Sequence, residues 1–380
     1  MNSTPTWLHR SLLRAGVILA VAFVVALLAG YKAVAPPILA GSAICLALAA
    51  STGRGQLREM AFTIWIVAGV VIGMVFHASF IEFPAWFFGL DGTRLTILII
   101  PLLQIIMFAM GTTLSVADFA RVLKMPGGVL IGLACQFTIM PLLGFTLAHT
   151  MGLPPAIGAG LILVGVSPCG LASNVMSFIA KANVAMSVTI TALATLISPI
   201  ITPVLMKALA GELVEFDVAG LMWDMTQIVL LPVVAGLVFN RFIFHRWKHF
   251  GRIMPAISMA GILVMTVVTV APGRDKVIEV GLVLVLACFI HCTAGYALGY
   301  GVCKLLRLDT ITCRTIAIEV GMQNSGLAAG LATKLGKVAT LGLAPIVFGP
   351  IMNITASVLA NWWRTHPPKP DDKQSAGHAP

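Results

Sequence analysis

Long apolar runs separated by short polar segments dominate this chain. Runs of about 20 residues, the length a helix needs to cross a ~30 Å hydrocarbon core, fall at 12–30, 34–50, 61–80, 94–114, 127–149, 155–180, 184–206, 219–240, 254–271, 278–303, 315–333 and 338–361. The second is the weakest. Twelve such runs predict an all-α polytopic membrane protein.

Setting the first two runs aside as an N-terminal helical hairpin leaves ten, and the acidic stretch from Gly211 to Gly220 divides these five and five. A duplicated unit with an odd number of spans re-enters the membrane upside down, so inverted five-helix repeats are expected. Equivalent spans then carry equivalent oddities. The fourth span of the first half contains SPCGLASN, Ser167 to Asn174, and that of the second contains EVGMQNSG, Glu319 to Gly326. Both are polar and glycine-bearing near mid-span, and each holds a pair, Ser173–Asn174 or Asn324–Ser325, of the kind that caps a new helix. The third spans share one buried-looking polar residue, Gln136 and His291. Two broken helices are therefore expected, and irregular backbone at membrane depth is tolerated only where protein or a hydrated cavity satisfies it. Half-helix N-termini favour anions and half-helix C-termini favour cations.

Composition sharpens this picture. Only 10% of residues are charged and mean hydropathy is +0.99, far from the roughly 25% charged content of soluble domains. The net charge of +10 comes from Lys and Arg scattered between apolar runs, with no basic patch interleaved with aromatics, so nucleic acid is not a partner; the lipid bilayer is. With the N-terminus cytoplasmic, 17 of the 24 Lys and Arg fall on inside segments and 7 outside, as the positive-inside rule expects for an inner (cell) membrane protein with both termini cytoplasmic. The N-terminus has a basic flank before its first apolar run, and an uncleaved hairpin is favoured over a signal peptide because a second run follows at once. The Pro-rich tail, 364–380, reads as disordered. No obligate protein partner is evident. The seven cysteines, 45, 135, 169, 288, 292, 303 and 313, form no CxxC pair and read as free thiols. Cys288, His291 and Cys292 share a helical face but lack a further ligand for a metal.

Of fourteen acidic residues only Glu319, and less clearly Asp224, lie within an apolar run. A central carboxylate costs on the order of 2.5–3.5 kcal/mol on insertion scales, so its default reading is functional. The alternative is an interfacial Glu319 that reaches water or pairs with Arg314. Ser187, Thr191 and Thr195 follow at i, i+4 and i+8 on one face of the seventh run. Carboxylate, carboxamide, hydroxyl and main-chain oxygen together suit an alkali or alkaline-earth cation. An anion beside them has no buried Lys or Arg, leaving half-helix N-termini, Asn amides and the field of co-bound cations. No HExxH, GxSxG or Walker-type loop appears, and the chain is not read as an enzyme.

The motifs EVGMQNSGLA, SNVMSFIAKANVAMSVTIT, MFAMGTTLSVADF and QFTIMPLLGF resemble the bile acid:sodium symporter family over about residues 60–363. The resemblance implies a transporter domain at 56–363 after an extension at 1–55, with a panel domain (about 61–114 and 219–271) moving against a core domain (about 127–206 and 278–361) in which two broken helices cross. It implies two coupling Na+ ions. One site matches Ser173, Asn174, Ser187, Thr191 and Glu319; the other matches Gln136, Glu319, Val320, Met322 and Gln323, with Val320 and Met322 acting through carbonyls. Substrate-facing positions are Asn324, Asn353, Leu171 and Ala172. Many relatives have a Gly-Gly-Thr-like run where this chain has Cys169-Gly170-Leu171-Ala172, so Leu171 stands in place of a hydroxyl. The implied activity is sodium-driven import of a small organic anion resembling pantoate, pyruvate or a bile acid. Two alternatives are an arsenite/metalloid efflux carrier, suggested by Pro168–Cys169, and a membrane sensor that binds solute without moving it.

Overall fold

The computed structural model describes residues 6–28, 31, 34–53, 58, 60–80, 94–115, 126–170, 172–215, 217–242 and 250–367. Among the described residues all regular structure is helical, apart from one isolated β-bridge. The α-helices are α1 (Thr6–Leu28), α2 (Ala35–Thr52), α3 (Ala61–Val75), α4 (Ile99–Thr113), α5 (Pro126–Thr150), α6 (Pro155–Val166), α7 (Ala172–Ile179), α8 (Val184–Ala210), α9 (Val218–Met225), α10 (Leu231–Phe242), α11 (Phe250–Leu305), α12 (Thr310–Gly321), α13 (Ser325–Lys334) and α14 (Leu343–Thr365). A π-helical turn at Thr226–Leu230 joins α9 to α10 without a loop. The expected disordered tail lies, from residue 368, outside the described residues.

Among the described residues eight helices are long and apolar enough to cross a bilayer, and three shorter apolar helices accompany them. The protein is thus a multi-pass membrane protein, though fewer full-length spans stand out than the twelve expected. Runs 155–180 and 315–333 fall short because each is interrupted, as α6/α7 and α12/α13. Runs 254–271 and 278–303 differ the other way: α11 continues through both for 56 residues. The interruption implied between those two runs, over 272–277, does not form.

The chain divides into two compact units, Met1–Ile99 with Met259–Arg274, and Ile100–Ser258 with Asp275–Pro380. In the first, α1 and α2 pack side by side: Ser42 Oγ donates to Gly16 O at 2.8 Å, and His9 Nδ1 lies 2.9 Å from Ala49 O. Trp65 of α3 donates to Ser51 Oγ at 2.8 Å, tying α3 to α2. In the second unit α5 and α8 flank the broken helices, and α5, α6, α8, α12 and α14 bury much of their length. Thr202 in α8 donates at 2.7 Å to Val166 O, a carbonyl that the end of α6 leaves without a helical donor. Both second half-helices, α7 and α13, end in the same turn. Ala182 N bonds to Ser177 O and Lys181 N to Phe178 O; Lys337 N bonds to Ala332 O and Gly336 N to Thr333 O. The left-handed position of that turn is Lys181 (φ 53°) in one and Gly336 (φ 67°) in the other.

Helices α4 and α10 approach at Gly111 and Gly236, where a Cβ on Gly236 would overlap Phe108 O and Gly111 Cα. Because the obstacles are backbone, relief requires the helices to separate. Gly236→Ala is expected to destabilise by about 1–3 kcal/mol, read as a lower melting temperature in detergent. Gly281→Ala, whose Cβ would meet nothing within 4 Å, is expected to leave the melting temperature unchanged or raise it, since alanine is the better helix former.

Candidate functional site

The site is assembled where the two broken helices meet. At the first break α6 stops at Val166, Ser167 is extended (φ −71°, ψ 149°) and Pro168 has no N–H to continue the ladder. At the second, α12 stops at Gly321, Met322 is extended (φ −106°, ψ 107°) and α13 starts at Ser325. The exposed backbone of each break is satisfied by the other. Cys169 and Gln323 form an antiparallel bridge, and Asn324 N donates to Pro168 O at 2.8 Å. Gln136, from α5, donates through Nε2 to Ser167 O at 3.0 Å and to Gln323 Oε1 at 2.7 Å. Gln323 Nε2 in turn bonds Val320 O at 2.6 Å. Gly170 O accepts from Ser173 N and Ser173 Oγ, at 3.0 and 2.8 Å.

The capping expectation holds at one break only. Asn324 caps α13, its Oδ1 accepting from Leu327 N at 2.9 Å, so its amide NH2 is what remains for a ligand. Ser173–Asn174 does not cap. Helix α7 begins earlier, at Ala172, which places both side chains in its first turn and turns them toward α8. There Asn174 Oδ1 lies 2.8 Å from Ser187 Oγ and 3.5 Å from Thr191 Oγ1, and Ser173 Oγ lies 3.4 Å from Thr191 Oγ1.

Glu319, on the last turn of α12, is wholly buried at the centre of these groups. Ser187 Oγ donates to Oε1 and Thr191 Oγ1 donates to Oε2, the latter at 2.8 Å. The Cys169 thiol and the Ser173 hydroxyl also lie within hydrogen-bonding reach of the carboxylate. Arg314 is not its partner: the guanidinium bonds Trp363 O and His366 O at 3.1 and 2.6 Å and stacks over the Trp363 ring, capping the C-terminus of α14. Nor is Asp224 a second buried carboxylate, because it reaches out to Lys334 at 3.4 Å, where both side chains meet solvent.

Hydrogen counting shows what this pocket lacks. Ser187 has one hydroxyl hydrogen and two acceptors, Asn174 Oδ1 and Glu319 Oε1, within bonding distance. Thr191 has one hydrogen facing Glu319 Oε2, Asn174 Oδ1 and Ser173 Oγ. Gln136, whose Nε2 bonds both breaks, buries its Oε1 with no hydrogen-bond partner. The Cys169 thiol adds one hydrogen, yet Asn174 Oδ1, Ser173 Oγ and both Glu319 oxygens still share few donors, and a dehydrated cation would supply what such a set needs.

The residues expected at the first cation site, Ser173, Asn174, Ser187, Thr191 and Glu319, are thus brought together by direct contacts. Of the second set, Gln136, Val320 and Gln323 form one hydrogen-bonded chain, with Met322 buried in the break. Of the solute-facing set, Asn353 on α14 is buried, donates to Gly349 O at 2.9 Å and leaves Oδ1 without a partner; Ala172 opens α7; Leu171 lies outside the described residues. Thr195 does not join the site and returns its hydroxyl to Thr191 O at 2.7 Å. His291 does not match Gln136 in role. It reaches Met140 O in α5 at 3.0 Å, not a break. The seven cysteines are free, and among the described residues no group of three His, Cys, Asp or Glu could hold a metal. Sequence reading overlooked Cys169 as a neighbour of the carboxylate pocket, with Sγ 3.6 Å from Thr191 Oγ1, and Thr202 as the donor to Val166 O. Neither carries a local signal that separates it from ordinary packing residues.

Helices broken at membrane depth around a buried carboxylate define a multi-pass transporter. Comparison with known proteins gives the family. The model of the sodium bile acid symporter family matches residues 100–280. The chain is 38% identical over 303 residues to the uncharacterized sodium-dependent transporter YocS of Bacillus subtilis, covering 80% of this chain and 90% of that protein. It is 35% identical over 317 residues to the probable chloroplastic sodium/metabolite cotransporter BASS1 of Arabidopsis thaliana, covering 83% and 76%. With the probable chloroplastic sodium/metabolite cotransporter BASS2 of Oryza sativa it shares 34% identity over 323 residues, covering 84% and 73%. The chain belongs to the sodium bile acid symporter family, and the relatives it resembles are named as transporters, not as enzymes.

Asn324 offers a local test of the second break. Asn324→Ala removes the cap of α13 and is expected to cost about 1 kcal/mol, whereas Asn324→Ser restores most of it. Melting temperature in detergent, without solute, reads the difference.

Proposed function

We propose that this protein imports a small organic anion by sodium-coupled alternating access across the cell membrane, with both termini in the cytoplasm. The observation that carries this reading is the oxygen-rich, hydrogen-poor pocket around Glu319. Its donors are hard oxygens, which suit Na+ and serve soft metals poorly. One ion is held by Ser173, Asn174, Ser187, Thr191 and Glu319. A second is held by Gln136 Oε1, Gln323, Glu319 and the carbonyls of Val320 and Met322. Support for sodium comes also from the relatives, whose printed names make them sodium-dependent transporters or sodium/metabolite cotransporters.

The solute site sits beside the ions, at the first turns of α7 and α13. Asn324 and Asn353 present amides there, and Ala172 borders it; Leu171 is assigned to the site by the resemblance alone. These are donors without a fixed cation, so the carboxylate of a pantoate-, pyruvate- or bile-acid-like solute relies on the field of the bound ions. Binding of ion and anion is then coupled. The shared end turns of α7 and α13 and their mutual bridge support an inverted repeat, with the broken helices in a core (127–206 and 278–361) that moves against a panel (61–114 and 219–271). Residues 1–55 stand outside that transporter domain.

Uptake of labelled pantoate, pyruvate and taurocholate into proteoliposomes, with sodium or potassium outside, tests the proposal. Sodium is expected to raise uptake of one of them at least tenfold, and Glu319→Ala to abolish that stimulation. Thr191→Val removes one of the oxygens proposed to hold the first ion, so half-saturation by sodium is expected to rise by roughly tenfold or more. Sodium-independent uptake, or normal coupling in Glu319→Ala, would refute the assignment. Cys169-dependent metalloid efflux would favour an arsenite carrier, and binding without flux a sensor.

A further inference from the structure

Between the cation pocket and the solute-facing helix lies a buried cluster to which the preceding proposal gives no task. Tyr296, on α11, is 6% exposed and lays its ring against Gly321, where any Cβ would overlap the ring carbons. Gly321 stands between Val320 and Met322, at the end of the half-helix that carries Glu319. The approach is close along the whole face: a Cβ on Gly295 would come within 3.1 Å of Gly321 Cα, and one on Gly299 within 3.2 Å of Ala317 Cα and Val320 Cβ. From the same ring the hydroxyl crosses to α14, donating to Met352 O at 3.2 Å, next to Asn353. Cys292, one turn earlier on α11, completes the bridge. Its Sγ lies 3.6 Å from Gly321 O, 3.1 Å from the Tyr296 hydroxyl and 3.1 Å from Thr355 Oγ1.

Gly321 O belongs to the last turn of α12, where carbonyls have lost their helical donors. A shift of this turn therefore moves atoms that α11 holds directly. Tyr296 cannot follow by rotating about χ1, because its ring is trapped against Gly321 and its hydroxyl is held by α14 and Cys292. Packed elements with two discrete arrangements transmit such shifts between sites.

We propose that Tyr296 is a positioning residue that couples the cation-bearing break to the solute-facing segment of α14. The inference rests on the sodium reading above and adds the route by which ion binding reaches Asn353. Ion occupancy fixes the 319–323 turn, the turn fixes the Tyr296 ring, and the hydroxyl fixes the backbone at Met352. Tyr296→Phe keeps the ring on Gly321 and removes the hydroxyl's contacts, to Met352 O and Thr355 Oγ1 on α14 and to Cys292 Sγ on α11.

Peptide-resolved amide hydrogen exchange on the full-length protein in detergent tests this without a solute, with sodium chloride compared against potassium chloride. In the unmodified protein, sodium is expected to slow exchange about fivefold or more both in a peptide covering 322–328 and in one covering 351–357, within the range of ordinary coupling between sites. In Tyr296→Phe the first peptide is expected to keep its sodium protection, showing that the protein is folded and the ion site intact, while protection of the second falls below about twofold. Full protection of 351–357 in Tyr296→Phe would overturn the coupling role, as would sodium protection of 322–328 alone in the unmodified protein. A merely structural tyrosine would lower both protections together, and this too would overturn it. If sodium protects neither peptide in the unmodified protein, the sodium reading itself fails, and the coupling with it.

Discussion

A helix that stops inside a membrane leaves carbonyl and amide groups that hydrocarbon cannot satisfy, and the centre of this molecule is organised by that constraint. Two helices stop, and each supplies much of what the other lacks. Pro168 O is met by Asn324 N, Ser167 O by Gln136, and Cys169 pairs with Gln323. The remaining ends are met from α8 and α11, through Thr202 and Cys292. Neither break would persist alone, so the crossing is a condition of stability before it is a device for binding.

That mutual satisfaction has a chemical by-product. Amides are consumed in pairing the breaks and capping α13, while Ser173, Asn174, Ser187, Thr191 and Gln136 bring further oxygens to the same point. Around Glu319 the balance tips toward acceptors. A buried carboxylate ringed by hydroxyls, with the Arg314 guanidinium on its own helix turned away to cap another, supports the proposal of a mobile cation in place of a fixed one. Coupled transport requires a charge that can enter and leave, and Arg314 seated on Glu319 would have removed it.

Much of the site is legible in the sequence, because the features that matter are rare in their setting. A carboxylate, carboxamides and hydroxyls inside apolar runs are conspicuous, and Ser187 and Thr191 fall on one face by helical spacing alone. The family motifs extend from those residues. Other features resist reading. Ser173–Asn174 looks like a cap by composition, yet α7 starts before it. Asp224 looks buried by hydropathy, yet it leans out to Lys334. Runs 254–271 and 278–303 look like separate spans, yet α11 continues through both. In each case local composition permits two outcomes separated by small energies, and the surrounding packing selects one.

By itself the sequence determined that the chain is a bundle of membrane helices, where two of them break, and which residues carry oxygen into the apolar interior. Hydropathy and helical period are local properties, with energies large enough to be decided within about 20 residues. Only the tertiary structure decided which atoms of the two breaks satisfy each other, that Arg314 serves the end of α14, and that Tyr296 stands between Gly321 and Met352. Those outcomes depend on contacts between residues tens to hundreds of positions apart, and hydrogen-bond partners at such separations are chosen by packing, not by neighbours in the chain.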